Sequence, residues 1–332
     1  MSPAKKRKIS ETILEILKNK STKAMEFTRK TLLEKEEIRG RLREALEYYV
    51  LDWKDYTHPG LFSLACEAVH GDPDKTVGAQ AVTAMIAAAL DIHDDIIDGS
   101  KVKHGKSTVF GRYGQDTSLI LGDVFLVSGL TLLGEMSTRL PEREARETLN
   151  SYRKSLLELG SAHALELGLK RKTGIVPEQY MRILEMKAAS GEADMRLGAI
   201  FGGGTDIEVN ALTKYGRIIG ILAILREEFI DLFEAEELSH RLHNECLPIP
   251  LLYSLQDEES KSGFQKLVKK KRLAETDVSE LLETVFKAKP VKRLKRSMEN
   301  MAQEAFNLTS AVPNSEVKTI LRALPASLLE DL

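Results

Sequence analysis

Residues 81–98 read AVTAMIAAALDIHDDIID. Ala81 to Ile92 is the longest apolar stretch in the chain, interrupted by Thr83 and Asp91, and it runs into His93-Asp94-Asp95-Ile96-Ile97-Asp98. A helix here places Asp94 and Asp98, four apart, on one face, with Asp95 about 100° round. Like charges at that spacing repel by roughly 0.2–0.5 kcal/mol, and desolvation at the end of an apolar helix makes the repulsion worse. Aspartate also favours helix starts over helix ends, because a helix C-terminus is already negative. The stretch therefore predicts a buried helix that ends in crowded carboxylates.

The same period extends outward along the chain. Ile13, Ile16 and Leu17, then Leu42, Leu46, Tyr49 and Val50, recur at three and four residues, the spacing of one helical face. Alternating strand patterns bounded by Asn-Gly or Asp-Gly turns are absent. Breaks fall near His58-Pro59-Gly60, Gly71-Asp72-Pro73, Gly99 to Ser107, Leu140-Pro141, Gly174 to Pro177, Gly202-Gly203-Gly204-Thr205 and Pro248 to Pro250. No break reads as a flexible linker and no internal repeat is evident. The expected fold is all-α: a basic segment over residues 1–25, then one domain over 26–332, a bundle of long helices around a central space. Gly114 to Met136 is apolar on nearly every face, so it is expected to lie buried, with Asp123 partnered by a neighbouring helix.

Composition narrows the function classes. The chain has 332 residues, 42% hydrophobic and 30% charged, which is ample for a core and excludes disorder. Two cysteines, Cys66 and Cys246, exclude a disulfide framework. A net charge of -2, with Trp53 the sole tryptophan among 6% aromatics, argues against nucleic-acid binding. No apolar run reaches the roughly 18 residues a membrane span needs, and the N-terminus lacks an apolar signal region, so the expectation is a cytoplasmic protein. Lys5-Lys6-Arg7-Lys8 reads either as a tag for an anionic surface or as the solvated start of a helix.

A cation would relieve the repulsion at Asp94, Asp95 and Asp98. Hard carboxylate oxygens without a Cys/His set suit Mg²⁺, which keeps waters and shares phosphate oxygens. The following loop, Gly99 to Ser107, is short and basic, with Lys101, Lys103, His104 and Lys106, and fits either a phosphate cover or a solvated turn. A second acidic cluster, Arg226-Glu227-Glu228-Phe229-Ile230-Asp231, repeats the spacing after the apolar run Ile218 to Leu225. Two such helices facing each other would hold metals between them. Lys187, in Met186-Lys187-Ala188-Ala189-Ser190-Gly191, reads as a point charge for a phosphate or as a snorkelling lysine. His240, His243 and Cys246 form H-x-x-H-x-x-C, a poor metal site because the spacing does not converge on a helix.

At these residues the chain resembles the trans-isoprenyl diphosphate synthases of the polyprenyl synthetase family, over roughly residues 30 to 325. The anchors are Leu64-Ala65-Cys66-Glu67-Ala68-Val69, the DDxxD of Asp94 to Asp98, Gly105-Lys106-Ser107-Thr108-Val109 and Leu121-Gly122-Asp123. To these add Lys187, Tyr215-Gly216-Arg217 and Ile249-Pro250-Leu251-Leu252-Tyr253. The resemblance implies a dimeric helical prenyltransferase that condenses an allylic diphosphate with isopentenyl diphosphate (IPP), using two or three Mg²⁺. It implies metal ligation by Asp94, Asp95, Asp98, Glu227, Glu228 and Asp231, catalytic roles for the three aspartates and Lys187, and substrate binding by Lys103; His58 and His104 stand where the family carries arginines and are expected to bind substrate in their place when protonated. Small residues at Ala88 and Ala89, before the first aspartate, imply products of about C20 or longer, with Leu90 a modest obstacle.

The departures are systematic. The cationic stretch that binds IPP in the family reads Trp53-Lys54-Asp55-Tyr56-Thr57-His58-Pro59, its histidine becomes Ala87, and its arginine pair becomes Lys103-His104. The second motif carries glutamates, with Ala223-Ile224 in front, and Cys246 stands where a lysine is expected. Three readings follow: an active condensing synthase, a terpene-synthase-like enzyme that ionises one allylic diphosphate, or a regulatory subunit that joins another prenyl synthase as a heteromer.

Overall fold

The computed structural model describes residues 8–35, 37–103, 105–170, 172, 174–267, 270, 273–330 and 332. Lys5, Lys6, Arg7 and His104 lie outside them. The described chain is almost wholly helical. In order it forms α1 (Ile9–Lys30), α2 (Gly40–Asp52), α3 (Thr57–Ala68), α4 (Val77–Asp98), α5 (Val109–Tyr113), α6 (Gln115–Ser137), α7 (Glu142–Leu167), α8 (Pro177–Lys187) and α9 (Ala189–Phe201). Then come α10 (Asp206–Ile230), α11 (Ala235–Asn244), α12 (Ile249–Ser254), α13 (Glu258–Leu267), α14 (Glu275–Lys287), α15 (Lys289–Leu308) and α16 (Glu316–Ser327). Among the described residues the strands are β1 (Val102–Lys103) and β2 (Lys106–Ser107), an antiparallel pair inside the break expected at Gly99 to Ser107.

The chain divides into two compact units. One holds residues 1–152, 194–212 and 312–317; the other holds 153–193, 213–311 and 318–332. The boundary expected at residue 25 falls inside α1, whose buried residues Ile13, Leu17, Ser21, Ala24, Met25 and Thr28 return every three or four positions.

In the first unit α4 is the central helix. From Ala79 to Ala89 every residue is buried, as expected of a helix apolar on all faces. Met85, Ala88, Ala89 and Ile92 share a cluster with Leu46, Val50, Trp53, Leu121 and Phe125. Trp53 and Tyr49 meet Phe125 edge-on, at ring separations of 5.5 and 5.1 Å. Each large apolar side chain so enclosed contributes about 1.5–3 kcal/mol. Close crossings require glycine: a Cβ on Gly60 would lie 2.9 Å from Leu17 Cδ2, and one on Gly198 would lie 2.2 Å from the Phe62 carbonyl oxygen.

Two sequence expectations are corrected here. α6 is not buried on all sides. It turns Ser118, Leu121, Gly122, Phe125, Gly129 and Leu133 inward and leaves Leu119, Ile120, Val127 and Leu130 exposed. The run-length reading also missed that residues 73–98 and 115–137 are long and apolar enough, by length and composition, to cross a membrane. Single polar interruptions break a run without lowering its mean hydropathy. The first of these is a core helix, with 72% of its most apolar window buried; for the second the share is 39%.

In the second unit small residues let helices touch along their backbones. A Cβ on Gly191 would lie 2.8 Å from the Gly216 carbonyl oxygen, and one on Gly220 would lie 3.0 Å from Ala188 Cβ. Tyr215 is buried and donates to the Leu321 carbonyl at 2.7 Å. Arg217 pairs with Glu158 at 2.8 Å and Glu192 at 2.6 Å. The Tyr215-Gly216-Arg217 anchor is thus a packing and ion-pair device.

Gly198→Ala forces the Phe62 backbone to move and should cost about 1–3 kcal/mol, lowering the denaturation midpoint. Gly134 of α6 has open space around its Cβ position, so Gly134→Ala should stabilise by about 0.5–1 kcal/mol. Chemical denaturation of both variants checks the pair; equal midpoints would contradict the crossing argument.

Candidate active site

The first acidic motif ends α4. Gly99 takes a left-handed φ of 72° and donates to the Ile96 carbonyl at 3.3 Å, while Ser100 N–H donates to Asp95 O at 2.9 Å. Only glycine adopts that turn without strain. Asp94, Asp95 and Asp98 therefore crowd the negative end of the helix dipole, where cations are favoured. The ribbon that follows supplies one: Lys103 Nζ lies 2.7 Å from Asp95 Oδ1. Burial works against the charged lysine, but Asp95 first, and then Asp94 and Asp91, outweigh it and hold Lys103 well above its usual range. Asp95 itself is shifted up, by burial first, with Lys103 opposing.

The ribbon is pinned on both sides. Thr108 Oγ1 donates to Ser100 O at 2.7 Å, and Lys106 pairs with Asp52 at 2.8 Å. Gly111 has no room for a Cβ, which would sit 2.0 Å from Lys101 O. His93 packs over Gly122, whose missing Cβ would meet the ring at 2.4 Å, and its Nε2 is 3.3 Å from Asp123 Oδ1. This accounts for the Leu121-Gly122-Asp123 anchor; Asp123 meets a neighbouring helix as expected, but with its side chain 60% exposed rather than buried.

Beside the ribbon lies a cavity of about 500 Å³. Tyr49 and Trp53 give it apolar wall; Lys54, Lys103 and Lys106 line it with Asp52, Asp55, Asp91 and Asp95. Two neighbouring groups escaped the sequence reading. Asp91 sits one turn before Asp95 and was treated only as an interruption in an apolar run. Its carboxyl opens on cavity solvent yet is shifted up, by desolvation first and by Asp55 next, with Lys103 and His58 opposing. Asp194, on α9, is buried and meets His58: Nδ1 and Oδ2 are 2.6 Å apart. No local signal in the sequence marks it.

His58 was expected to offer a cation to substrate. Here it is held between carboxylates, with Asp194 on one nitrogen and Asp55 Oδ2 at 4.0 Å from the other. Burial alone would lower its pKa, but Asp194 and then Asp55 outweigh that and raise it to about 10. The imidazole is therefore cationic at neutral pH, whereas a free one titrates near 6.5.

The remaining site residues belong to the second unit. Lys187, at the end of α8, forms an ion pair with Glu166 Oε2. The other Glu166 oxygen accepts from Tyr180 OH at 3.0 Å. Tyr180 OH also reaches Glu228 Oε1 at 3.3 Å. Glu228 is buried, and its Oε2 accepts from Ile249 N–H at 2.7 Å. Both Glu228 and Asp231 are bound by one buried guanidinium, that of Arg241, at 2.8 and 2.5 Å. Glu227 is exposed. Arg226 donates to the Leu328 and Glu330 carbonyls at 3.1 and 2.8 Å and so anchors the chain's C-terminal segment.

His240, His243 and Cys246 do not converge. His240 Nε2 meets Glu245 at 3.0 Å, His243 Nδ1 lies 2.7 Å from Ser239 O, and the Cys246 thiol, pushed up to about 12 by burial first, lies 3.8 Å from Glu166 O.

The two acidic motifs differ as metal sites. Asp94, Asp95 and Asp98 offer oxygen donors only, the donor set of Mg²⁺, at a helix end that calls for positive charge. Among the described residues no three His, Cys, Asp or Glu side chains enclose a point. That geometry suits an ion that keeps waters and takes phosphate oxygens. In the second motif Arg241 already holds Glu228 and Asp231, so those two carboxylates do not fit a metal as they stand.

Comparison with known proteins follows the same lines. The polyprenyl synthetase family model matches residues 39–285. A short chain isoprenyl diphosphate synthase of Methanothermobacter thermautotrophicus is 29% identical over 227 residues, 68% of each chain. Geranylgeranyl pyrophosphate synthase 3 of Arabidopsis thaliana, chloroplastic, is 30% identical over 238 residues, 68% of this chain and 66% of that protein. In fold, the geranylgeranyl pyrophosphate synthetase of Pyrococcus horikoshii superposes with a TM-score of 0.84 at 22% identity, covering 97% of this chain and 99% of that one.

Nitrogen-resolved NMR titration of the histidines should find His58 still an imidazolium at pH 8, and Asp194→Asn should bring its midpoint down. The sign of the linkage follows: a folded-state value above the unfolded one stabilises below about pH 6.5, and that contribution is lost as pH rises through about 10. A His58 midpoint near 6.5 in the unaltered protein would contradict the cluster.

Proposed function

The chain belongs to the polyprenyl synthetase family, and on that premise we propose that it is a Mg²⁺-dependent trans-prenyltransferase joining an allylic diphosphate to IPP. The observation that carries the reading is the carboxylate cluster at the end of α4, beside a lysine ribbon and a cavity large enough for a small diphosphate. Asp94, Asp95 and Asp98 would hold the metal, and a divalent ion there would stabilise negative charge on a departing diphosphate. Lys103 stays charged in the negative field of the motif and serves phosphate oxygens from the ribbon side. Lys187, steered by Glu166, is a second cation for a phosphate. His104, outside the described residues, keeps its place as a substrate-binding candidate. The apolar cluster under the motif keeps water from an allylic cation. The leaving diphosphate takes the proton lost after the double bond attacks.

With Lys103 on the allylic side, the cavity's cations for IPP are Lys54 and Lys106, and Lys106 already faces Asp52. Asp55 and Asp91 oppose a second diphosphate in the same space. This charge balance favours, as the second reading, a member that handles one allylic diphosphate without condensation, alone or as a subunit of a heteromer. Product length rests on Ala88 and Ala89. Both are fully buried in the same apolar cluster as Phe125. Their small size supports products of about C20 or longer. The exposed apolar face of α6, with Leu119, Ile120, Val127 and Leu130, supports a homodimer.

With Mg²⁺, allylic diphosphates should be extended only when IPP is supplied, as read by mass spectrometry. Asp94→Ala should cut the rate by at least about 100-fold, and Leu90→Ala should shift products to longer chains. Undiminished extension by the Asp94 variant would sink the proposal; a hydrocarbon or alcohol formed without IPP would establish the second reading. Val127→Glu should convert the homodimer to a monomer in light scattering after size exclusion; an unchanged mass would count against that face.

A further inference from the structure

We infer that Glu228 and Asp231 of the second acidic motif are held from within, by Arg241, and take no diphosphate-bound metal, so that metal is loaded through the Asp94–Asp98 motif. The inference rests on the proposed diphosphate chemistry but concerns residues that chemistry has not used. Arg241 lies on α11 and its side chain is 5% exposed. Nη1 binds Asp231 Oδ2 at 2.5 Å, Nη2 binds Glu228 Oε1 at 2.8 Å and Tyr180 OH at 3.2 Å, and Nε donates to Cys246 O at 3.1 Å. The guanidinium thus spends its donors inside the protein. Both Glu228 oxygens are engaged: one accepts from Arg241 and faces Tyr180 OH, the other accepts from the Ile249 amide.

A metal at this position has to displace the guanidinium. That is costly twice over. The expelled arginine is buried with its partners, and removing one member of a buried pair leaves the other charge uncompensated. Mg²⁺ also demands near-octahedral oxygen geometry, while Glu228 is fixed by a backbone amide that cannot follow it. Arginine is the residue suited to the alternative, since its planar fork matches two carboxylates and it does not lose its proton. The glutamate's extra methylene gives Glu228 the reach to meet both the α11 guanidinium and the start of α12.

The network also runs on to Lys187. From Arg241 it passes through Glu228, Tyr180 and Glu166 to the Lys187 ammonium. Arg241 is in this sense a positioning residue: it orders the carboxylates that order the tyrosine, and the tyrosine orders the glutamate that steers the lysine.

Binding of Mn²⁺ in the presence of inorganic diphosphate, counted by electron paramagnetic resonance on the full chain, tests the inference. Asp98→Asn should weaken Mn²⁺ binding by at least about 10-fold. Glu228→Gln should leave the number of bound ions and their affinity unchanged. Loss of about one ion per chain in Glu228→Gln would overturn the inference, whereas unchanged binding in Asp98→Asn would overturn the proposed function instead. If Glu228→Gln does not fold, the double variant Glu228→Gln/Arg241→Gln removes the charged pair together and carries the same measurement.

Discussion

Negative charge confined at the carbonyl end of α4 is the constraint around which the first unit is organised. Three half-exposed aspartates close a helix whose body is buried on every face, and they stand at its negative end. The chain answers within five residues of Asp98, by turning at Gly99 and returning Lys103 to Asp95. Lys103 meets one of the three carboxylates directly, that of Asp95. Under the proposed function, a divalent ion and its phosphate bind at this negative helix end.

The same problem is solved differently in the second unit. Glu228 and Asp231 repeat the acidic spacing, but their counter-charge is a side chain of the protein, Arg241. A built-in guanidinium stabilises the fold and rigidifies its neighbours, and it cannot leave with a product. An ion shared with substrate stabilises only the loaded state. Sequence spacing treats the two motifs alike; the structure gives them different cations, a ribbon lysine for the first and a buried arginine for the second.

His58 shows how a residue that looks like a replacement cation becomes part of another structure. Its charge is spent on Asp194 and Asp55, so it trims the negative field around the cavity without offering a bare cation to it. Asp91 adds to that field from the face of α4 one turn below the motif. The balance of charge in the cavity, rather than the count of lysines along the chain, governs whether a second diphosphate is welcome there.

Periodicity by itself determined that this protein is helical, where its helices break, and that Asp94, Asp95 and Asp98 sit together, because those facts depend on neighbours within one or two turns. The family resemblance was likewise legible, through short motifs whose members lie close in the chain. Only the tertiary structure decided which side of α6 stays exposed, that Asp194 clamps His58 across 136 residues, and that Arg241 takes the carboxylates of the second motif. Each of these joins residues that are brought together by packing, and a carboxylate's role is set by the charge placed beside it. Local spacing fixes the direction in which an acidic side chain points along its own helix; it carries no information about the cation that arrives from another.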